Sequence, residues 1–268
     1  MPCAVCWPAQ VQRVDAVMSL PTFSGIGHVP VEGCLNFRDA GGCEVERGPR
    51  MRSGLLYRAD DPVRLTPVGR VTVESLDLAA VIDLRQHAQC VRSPGFVDPK
   101  RTFHRPLVDR VVDIDNPPKL DEPGDLADIY EGMILSSRTQ IAEVLDIIAE
   151  HLDAGPVLVH CAYGKDRTGI IVALVQAALG MPADVLAREY GRSDEPVRRR
   201  YQWMIDEPLA DDPPVRKVPA YLFTAPAAAM AELARRAVES HGSLADWVAS
   251  LPVAASTIDR LRAGLVAD

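Results

Sequence analysis

Hydrophobic and polar positions change period several times along the chain, and each change predicts an element. From Cys34 to Leu84 short apolar runs alternate with Gly, Pro and Asp, a pattern of strands and tight turns. The better strand candidates there are Gly54 to Arg58 and Ala80 to Leu84. Over 139–152 the period lengthens. Ile141, Val144, Leu145, Ile148 and Leu152 form one stripe of a helix whose other face carries Glu143, Asp146 and Glu150, which reads as core packing. Val157-Leu158-Val159-His160 then has the character of a buried strand. A Gly-containing loop follows, and Thr168 to Leu179 is apolar almost all round, closed by Gly180 and Pro182. Strand, loop and buried helix, after an earlier strand and helix, predict an α/β domain: a central, mainly parallel sheet flanked by helices.

Downstream, residues 183–205 read as helices, and 206–219, with Pro208, Pro213, Pro214 and Pro219, as an exposed loop. Residues 226–268 form a helical C-terminal extension: a helix over 226–240 ending at Gly242, a second opened by Ser243 with Asp246, and a third opened by Ser256 with Asp259. The run Arg198-Arg199-Arg200 beside Glu195 reads as a solvated helix face. With no internal repeat and no clean linker, residues 20–268 are expected to be one domain. Residues 1–19 show no clear periodicity and are expected to be a disordered or non-native extension.

Composition narrows the function. At 268 residues, with 47% hydrophobic and 25% charged residues, the chain is globular in character and long enough for a sizeable core. Aromatic residues make up only 5% and the formal charge is −8, which argues against a nucleic-acid partner: bases need stacking platforms and a polyanion needs a broad basic face. A small phosphorylated ligand needs only a local cationic pocket. The longest nearly uninterrupted apolar run, Gly169 to Met181, is too short to span a bilayer, so no integral membrane contact is expected. The first twenty residues lack a signal-peptide pattern, which predicts a cytoplasmic location. The six cysteines, Cys3, Cys6, Cys34, Cys43, Cys90 and Cys161, are irregularly spaced and expected to be reduced. Cys3 and Cys6 have no second pair or histidine at zinc-ligand spacing, so no metal site is expected.

The chemistry concentrates in His160-Cys161-Ala162-Tyr163-Gly164-Lys165-Asp166-Arg167-Thr168-Gly169. Between a strand end and a helix start, the residues from Cys161 to Arg167 can curl so that successive backbone N–H groups form an anion nest, with the helix dipole aimed at the same point. Ala162, Tyr163, Gly164, Lys165, Asp166 and Arg167 would then bind phosphate above the Cys161 sulfur. The field that holds an anion also favours a thiolate, making Cys161 the nucleophile. Arg167 offers a planar fork to two phosphoryl oxygens and to the transition state. The Thr168 hydroxyl can donate to the sulfur, and Gly164 and Gly169 allow sharp turning and close backbone approach.

Cys, five residues, then Arg-Thr-Gly, preceded by His, resembles the signature loop of cysteine-dependent protein tyrosine phosphatases. The form His-Cys-x-x-Gly-Lys-Asp-Arg-Thr-Gly resembles its bacterial tyrosine/serine phosphatase branch. Asn36-Phe37-Arg38-Asp39-Ala40-Gly41-Gly42, Leu56-Tyr57-Arg58 and Val81-Ile82-Asp83-Leu84-Arg85 resemble, in order and spacing, the N-terminal blocks of that branch. The resemblance spans roughly 20–268. It implies the cysteine-dependent phosphatase fold, hydrolysis of phosphate monoesters through a phosphocysteine, and no metal or organic cofactor. The expected substrates are phosphotyrosine proteins or peptides, with phosphoinositides or phosphoserine as an alternative. A separate Trp-Pro-Asp loop is missing, since Trp7-Pro8 is followed by Ala. The resemblance therefore implies Asp166 as general acid, with Asp83 and the acidic segment from Asp109 to Asp128 as alternatives. It also implies that His160 supports the loop, and that Arg38 and Arg58 are loop-supporting or phosphate-proximal. Against this last reading stand ordinary ion pairs with Asp39 or Asp60. Basic residues in this loop occur in phosphoinositide phosphatases, which gives Lys165 a place as a second cation at the pocket mouth. A catalytically weak phospho-binding module and a sulfur transferase are the competing readings. Some relatives leave the cell without an obvious signal, so export is left open, as is the oligomeric state.

Overall fold

The computed structural model describes residues 27–42, 49–93, 95–107, 122–208 and 223–267. The first part of the chain supplies β1 (Arg38–Asp39), β2 (Arg50–Met51), β3 (Leu56–Ala59), α1 (Pro67–Ser75), β4 (Ala80–Asp83), α2 (His87–Arg92) and β5 (Thr102–His104). The second supplies α3 (Pro123–Ser136), α4 (Arg138–His151), β6 (Val157–His160), α5 (Asp166–Ala178), α6 (Ala183–Gly191) and α7 (Asp194–Asp206). The chain closes with α8 (Ala227–His241), α9 (Leu244–Ala249), α10 (Ala255–Leu265) and β7 (Val266–Ala267).

The main sheet has the order β1-β3-β6-β4-β5; β1 is antiparallel to β3 and the other pairings are parallel. This is the α/β architecture the pattern predicts. Parallel strands are covered on both faces, and alternate residues serve opposite cores. Ala80, Ile82, Val157 and Val159 join the core built by the helices from α3 onward. Val81 and Leu158 face the smaller core with Phe37, Val73 and Phe96. The predicted stripe of α4 is buried throughout. Its polar face is bonded to neighbours: Asp146 accepts from the Thr257 hydroxyl of α10, and Glu143 lies 2.9 Å from Arg105.

Several boundaries move for physical reasons. Gly54 has φ +78 and its N–H donates to Asp39, so it is a turn residue, and β3 starts two residues later. Ser243 does cap α9, accepting from the Asp246 N–H at 3.0 Å. Ser256 does not cap α10: the helix begins at Ala255, so Ser256 already lies in the first turn and cannot serve as its cap. The two-stranded β2-β7 pairing ties the C-terminal helices to the N-terminal block. Asp206 closes α7, and from 209 onward the expected 206–219 loop lies outside the described residues, as do 1–19. No described helix is long and apolar enough to cross a membrane.

Candidate active site

β6 delivers the residues after His160 onto the N-terminus of α5, at the carboxyl edge of the sheet. That edge is where parallel α/β sheets place their ligands. α5 begins at Asp166, two residues before the pattern predicted, so the loop between β6 and α5 contains only Cys161 to Lys165. Its carbonyls from Ala162 to Lys165 are all taken by donors outside the loop or in the helix. The Asp61 N–H donates to Ala162 at 3.2 Å, Asn36 Nδ2 to Tyr163 at 2.9 Å, Arg58 Nη2 to Gly164, and the Gly169 N–H to Lys165 at 2.8 Å. In a trans peptide the next N–H points away from the carbonyl. The amides of Tyr163 through Asp166 therefore point away from these four donors, at the start of α5.

Gly164 makes this curl possible. Its φ is +63, and a Cβ there would stand 2.5 Å from the Ala59 carbonyl oxygen. Cys161 is buried at the head of the loop, and Arg167 is buried in the first turn of α5, with Nη1 donating to Leu84 O at 3.1 Å and to Gln89 Oε1 at 3.3 Å. The Thr168 hydroxyl is buried with no hydrogen-bond partner, so the expected bond to the Cys161 sulfur is not formed in this conformation. Lys165 is not at an exposed mouth. It is fully buried, with Nζ 3.2 Å from Asp166 Oδ1. The Tyr163 ring packs edge-on against Phe223 and beneath the Arg200 guanidinium.

Two arginines brace the loop from behind. Arg58 bonds the loop backbone and pairs with Glu189 on α6. Arg38 pairs with the same carboxylate at 2.9 Å and donates to the Ser193 hydroxyl at 3.0 Å and to Asn36 Oδ1. All three charged side chains are buried. Burial alone would favour a neutral Glu189, but Arg58 and Arg38 outweigh it and hold the acid below its ordinary range. Arg38 thus reaches the loop only through Asn36, Glu189 and Ser193. The alternative partners are otherwise engaged: Asp39 accepts from the Gly41 and Gly54 N–H groups, and Asp60 accepts from the Leu35 and Asn36 N–H groups. Glu189, Ser193, Asn36 and Gln89 carry no spacing signal that marks them as part of this site. Asn36 alone stood within a block resembling the family.

The Arg198–Arg200 run divides. Arg198 and Arg199 make i,i+4 pairs with Asp194 and Glu195, but Arg200 is buried against Asp60 at 3.4 Å and Asp61 at 3.1 Å. A single side of α7 therefore meets the end of β3, and the solvated-face reading fails for Arg200.

Asp83 is locked. Its carboxylate accepts from Arg85 Nε and Nη2 at 2.9 and 2.7 Å; burial pushes its pKa up, but nearby His160 and this fork outweigh that and hold it well below the usual carboxylate range. An acid held ionised in this way has no proton to give. In the acidic segment, Asp109 lies outside the described residues, Asp125 accepts from the Glu122 N–H, and Asp128 pairs with Arg236. Asp166 opens α5 at the loop, with a side chain 27% exposed.

His160 is wholly buried, edge-on to Phe96 and 3.7 Å from Asp83. Burial lowers its pKa to about 4, from 6.5 when unfolded. The folded value is the lower one, so the unfolded chain takes up this proton first as pH falls. Stability from neutral His160 is complete above pH 6.5 and is lost on the way down to about pH 4, by up to about 3 kcal/mol. Melting temperatures measured from pH 7 to 4 are expected to fall less steeply in His160→Gln than in the parent. Parallel curves would show that His160 does not carry this dependence.

Among the described residues, no group of three His, Cys, Asp or Glu side chains could hold a metal ion. Comparison with known proteins agrees with the geometry. The profile of the tyrosine phosphatase family matches residues 29–267. The triple specificity protein phosphatase PtpB of Mycobacterium tuberculosis is 31% identical over 273 residues, covering 87% of this chain and 97% of its own. A tyrosine-protein phosphatase of Nostoc commune is 31% identical over 150 residues, covering 55% of this chain and 51% of its own. With the match running from before β1 through β7 and including the whole loop between β6 and α5, the chain belongs to the tyrosine phosphatase family.

Proposed function

We propose that this phosphatase hydrolyses phosphate monoesters, phosphotyrosine first among them, through a phosphocysteine on Cys161. The observation that supports the reading is the loop itself: every carbonyl from Ala162 to Lys165 is anchored, which turns the amides of Tyr163 to Asp166 away from those partners at the start of α5. A phosphoryl group seated there receives the Tyr163 to Asp166 amides and the Arg167 fork, donors already aimed where charge develops in the transition state. Cys161 attacks phosphorus, the phosphorus–oxygen bond breaks, and Asp166 passes its proton to the departing oxygen. Asp166, now ionised, takes a proton from water. The water oxygen bonds to phosphorus and the sulfur leaves as thiolate. Thr168, whose hydroxyl has no other partner, is available to donate to that sulfur. Arg58 and Arg38 act from behind the loop, and His160 as packing beneath its first residue.

Acid quenching during turnover of a phosphotyrosine peptide in EDTA, followed by mass spectrometry, tests the reading. The peptide carrying Cys161 is expected to gain one phosphoryl group. Robust turnover with that peptide unmodified at every quench time would refute the phosphocysteine. PtpB carries triple specificity in its name. Phosphoserine and phosphoinositide belong in the same panel, and their turnover relative to phosphotyrosine sets the substrate range.

A further inference from the structure

Two tyrosines that no sequence pattern connects to the loop form a chain to the Asp166 carboxylate, Tyr130 directly and Tyr190 through Tyr130. Tyr130 on α3 is fully buried and its hydroxyl donates to Asp166 Oδ1 at 2.5 Å; the Tyr190 hydroxyl of α6 lies 2.5 Å from the Tyr130 oxygen. The proton directions follow from the donor count. An ionised carboxylate only accepts, so Tyr130 gives it its single proton, and Tyr190 must then donate to the Tyr130 oxygen. Burial and the neighbouring carboxylate push both phenols well above their ordinary pKa, so both keep their protons and neither relays one.

The arrangement is held by packing. The rings of Tyr130 and Tyr190 meet edge to face at 5.8 Å. Tyr190 lies so close to α5 that a Cβ on Gly169 would stand 3.0 Å from its ring. The glycine after Arg167 and Thr168 therefore admits the ring that backs Tyr130. Lys165 Nζ also lies 3.2 Å from Asp166 Oδ1. One oxygen thus takes both contacts, and Oδ2 has no hydrogen bond to protein among the described residues.

We propose that Tyr130, backed by Tyr190, is a positioning residue: it occupies Asp166 Oδ1 and so assigns the transferable proton to Oδ2. The inference rests on the reading of Asp166 as general acid. In the first step the proton leaves Oδ2 for the departing ester oxygen; in the second, water returns one to Oδ2. Oδ1 accepts from Tyr130 throughout. Neither tyrosine is proposed to touch substrate.

The test exploits leaving groups. p-Nitrophenolate departs with little help from an acid, whereas the tyrosine phenolate needs one. Tyr130→Phe keeps the ring and removes the donor. Its kcat is expected to fall about tenfold with a phosphotyrosine peptide and less than about twofold with p-nitrophenyl phosphate, with KM unchanged for both. Tyr190→Phe is expected to show the same pattern, more weakly, and carries the test if Tyr130→Phe does not fold. Equal losses on both substrates, or a change confined to KM, would overturn the inference. Asp166→Asn separates the two levels. If it retains parental kcat on the phosphotyrosine peptide, the general-acid reading fails and this inference with it. If Asp166→Asn is impaired while both tyrosine variants match the parent, only the inference fails. Adding Tyr130→Phe to Asp166→Asn is expected to cost nothing further, since the tyrosine acts through that carboxylate; a full additional loss would overturn it.

Discussion

Cys161→Ser is expected to lower kcat on p-nitrophenyl phosphate by about 10⁴-fold or more, because groups that act as a unit lose nearly all their catalysis with the nucleophile. The substitution exchanges a sulfur that ionises readily for a hydroxyl that needs a base to attack. No base is at hand. His160, the adjacent residue, is wholly buried with neither ring nitrogen hydrogen-bonded. The amide cradle and Arg167 do not depend on the sulfur, so the variant is expected to bind a phosphotyrosine peptide about as tightly as the parent. Release of p-nitrophenol and titration calorimetry read the two quantities separately. Residual kcat within about tenfold of the parent would rule out Cys161 as nucleophile.

Glu189→Ala is expected to be the most damaging substitution for stability, by about 3–5 kcal/mol, since removing one partner of a buried ion pair leaves an uncompensated buried charge. Here the single carboxylate serves two guanidinium groups, Arg38 and Arg58, and Arg58 is fully buried. In a chain of this size the melting temperature should drop by roughly 10 °C. Glu189→Gln keeps the volume and isolates the charge, and is expected to recover only part of the loss. A drop below about 1 kcal/mol in urea unfolding would show that the arginines find other partners. Arg58 also bonds the Gly164 carbonyl, so the same variants are expected to loosen the loop and reduce kcat.

The sequence was most informative where physics is local. The short apolar run at Val157–His160, the apolar stripe of α4 and the nearly uniform apolarity of α5 are each properties of one element, and their burial is as the pattern implies. The loop was legible for a related reason. A nucleophile, glycine and arginine at close spacing between a strand and a helix can build an anion nest from neighbouring residues alone. Cap positions were less legible. Ser243 and Ser256 have the same local sequence signal, yet only Ser243 caps a helix, while in the first turn of the last helix Thr257 bonds Asp146 across to α4.

The supports of that loop were decided by tertiary structure. Glu189 lies far along the chain from Arg38 and Arg58, and Tyr130, bonded to one carboxylate, meets Tyr190 from a different helix. No periodicity records such a meeting, because it depends on how the helices cross the sheet. The fate of similar charges was decided there too. Arg198 and Arg200 are two residues apart, yet one pairs on the surface within its own helix while the other is buried against Asp60 and Asp61. Asp83 and Asp166 were both candidate acids in sequence. The Arg85 fork locks one as a structural anion, while the other stands at the start of α5 with one oxygen held and one uncommitted. The chain by itself determined the elements and the loop between β6 and α5, which depend on near neighbours; packing determined which charges are buried in ion pairs and which stay partly exposed, since burial and long-range partners exist only once the fold has formed.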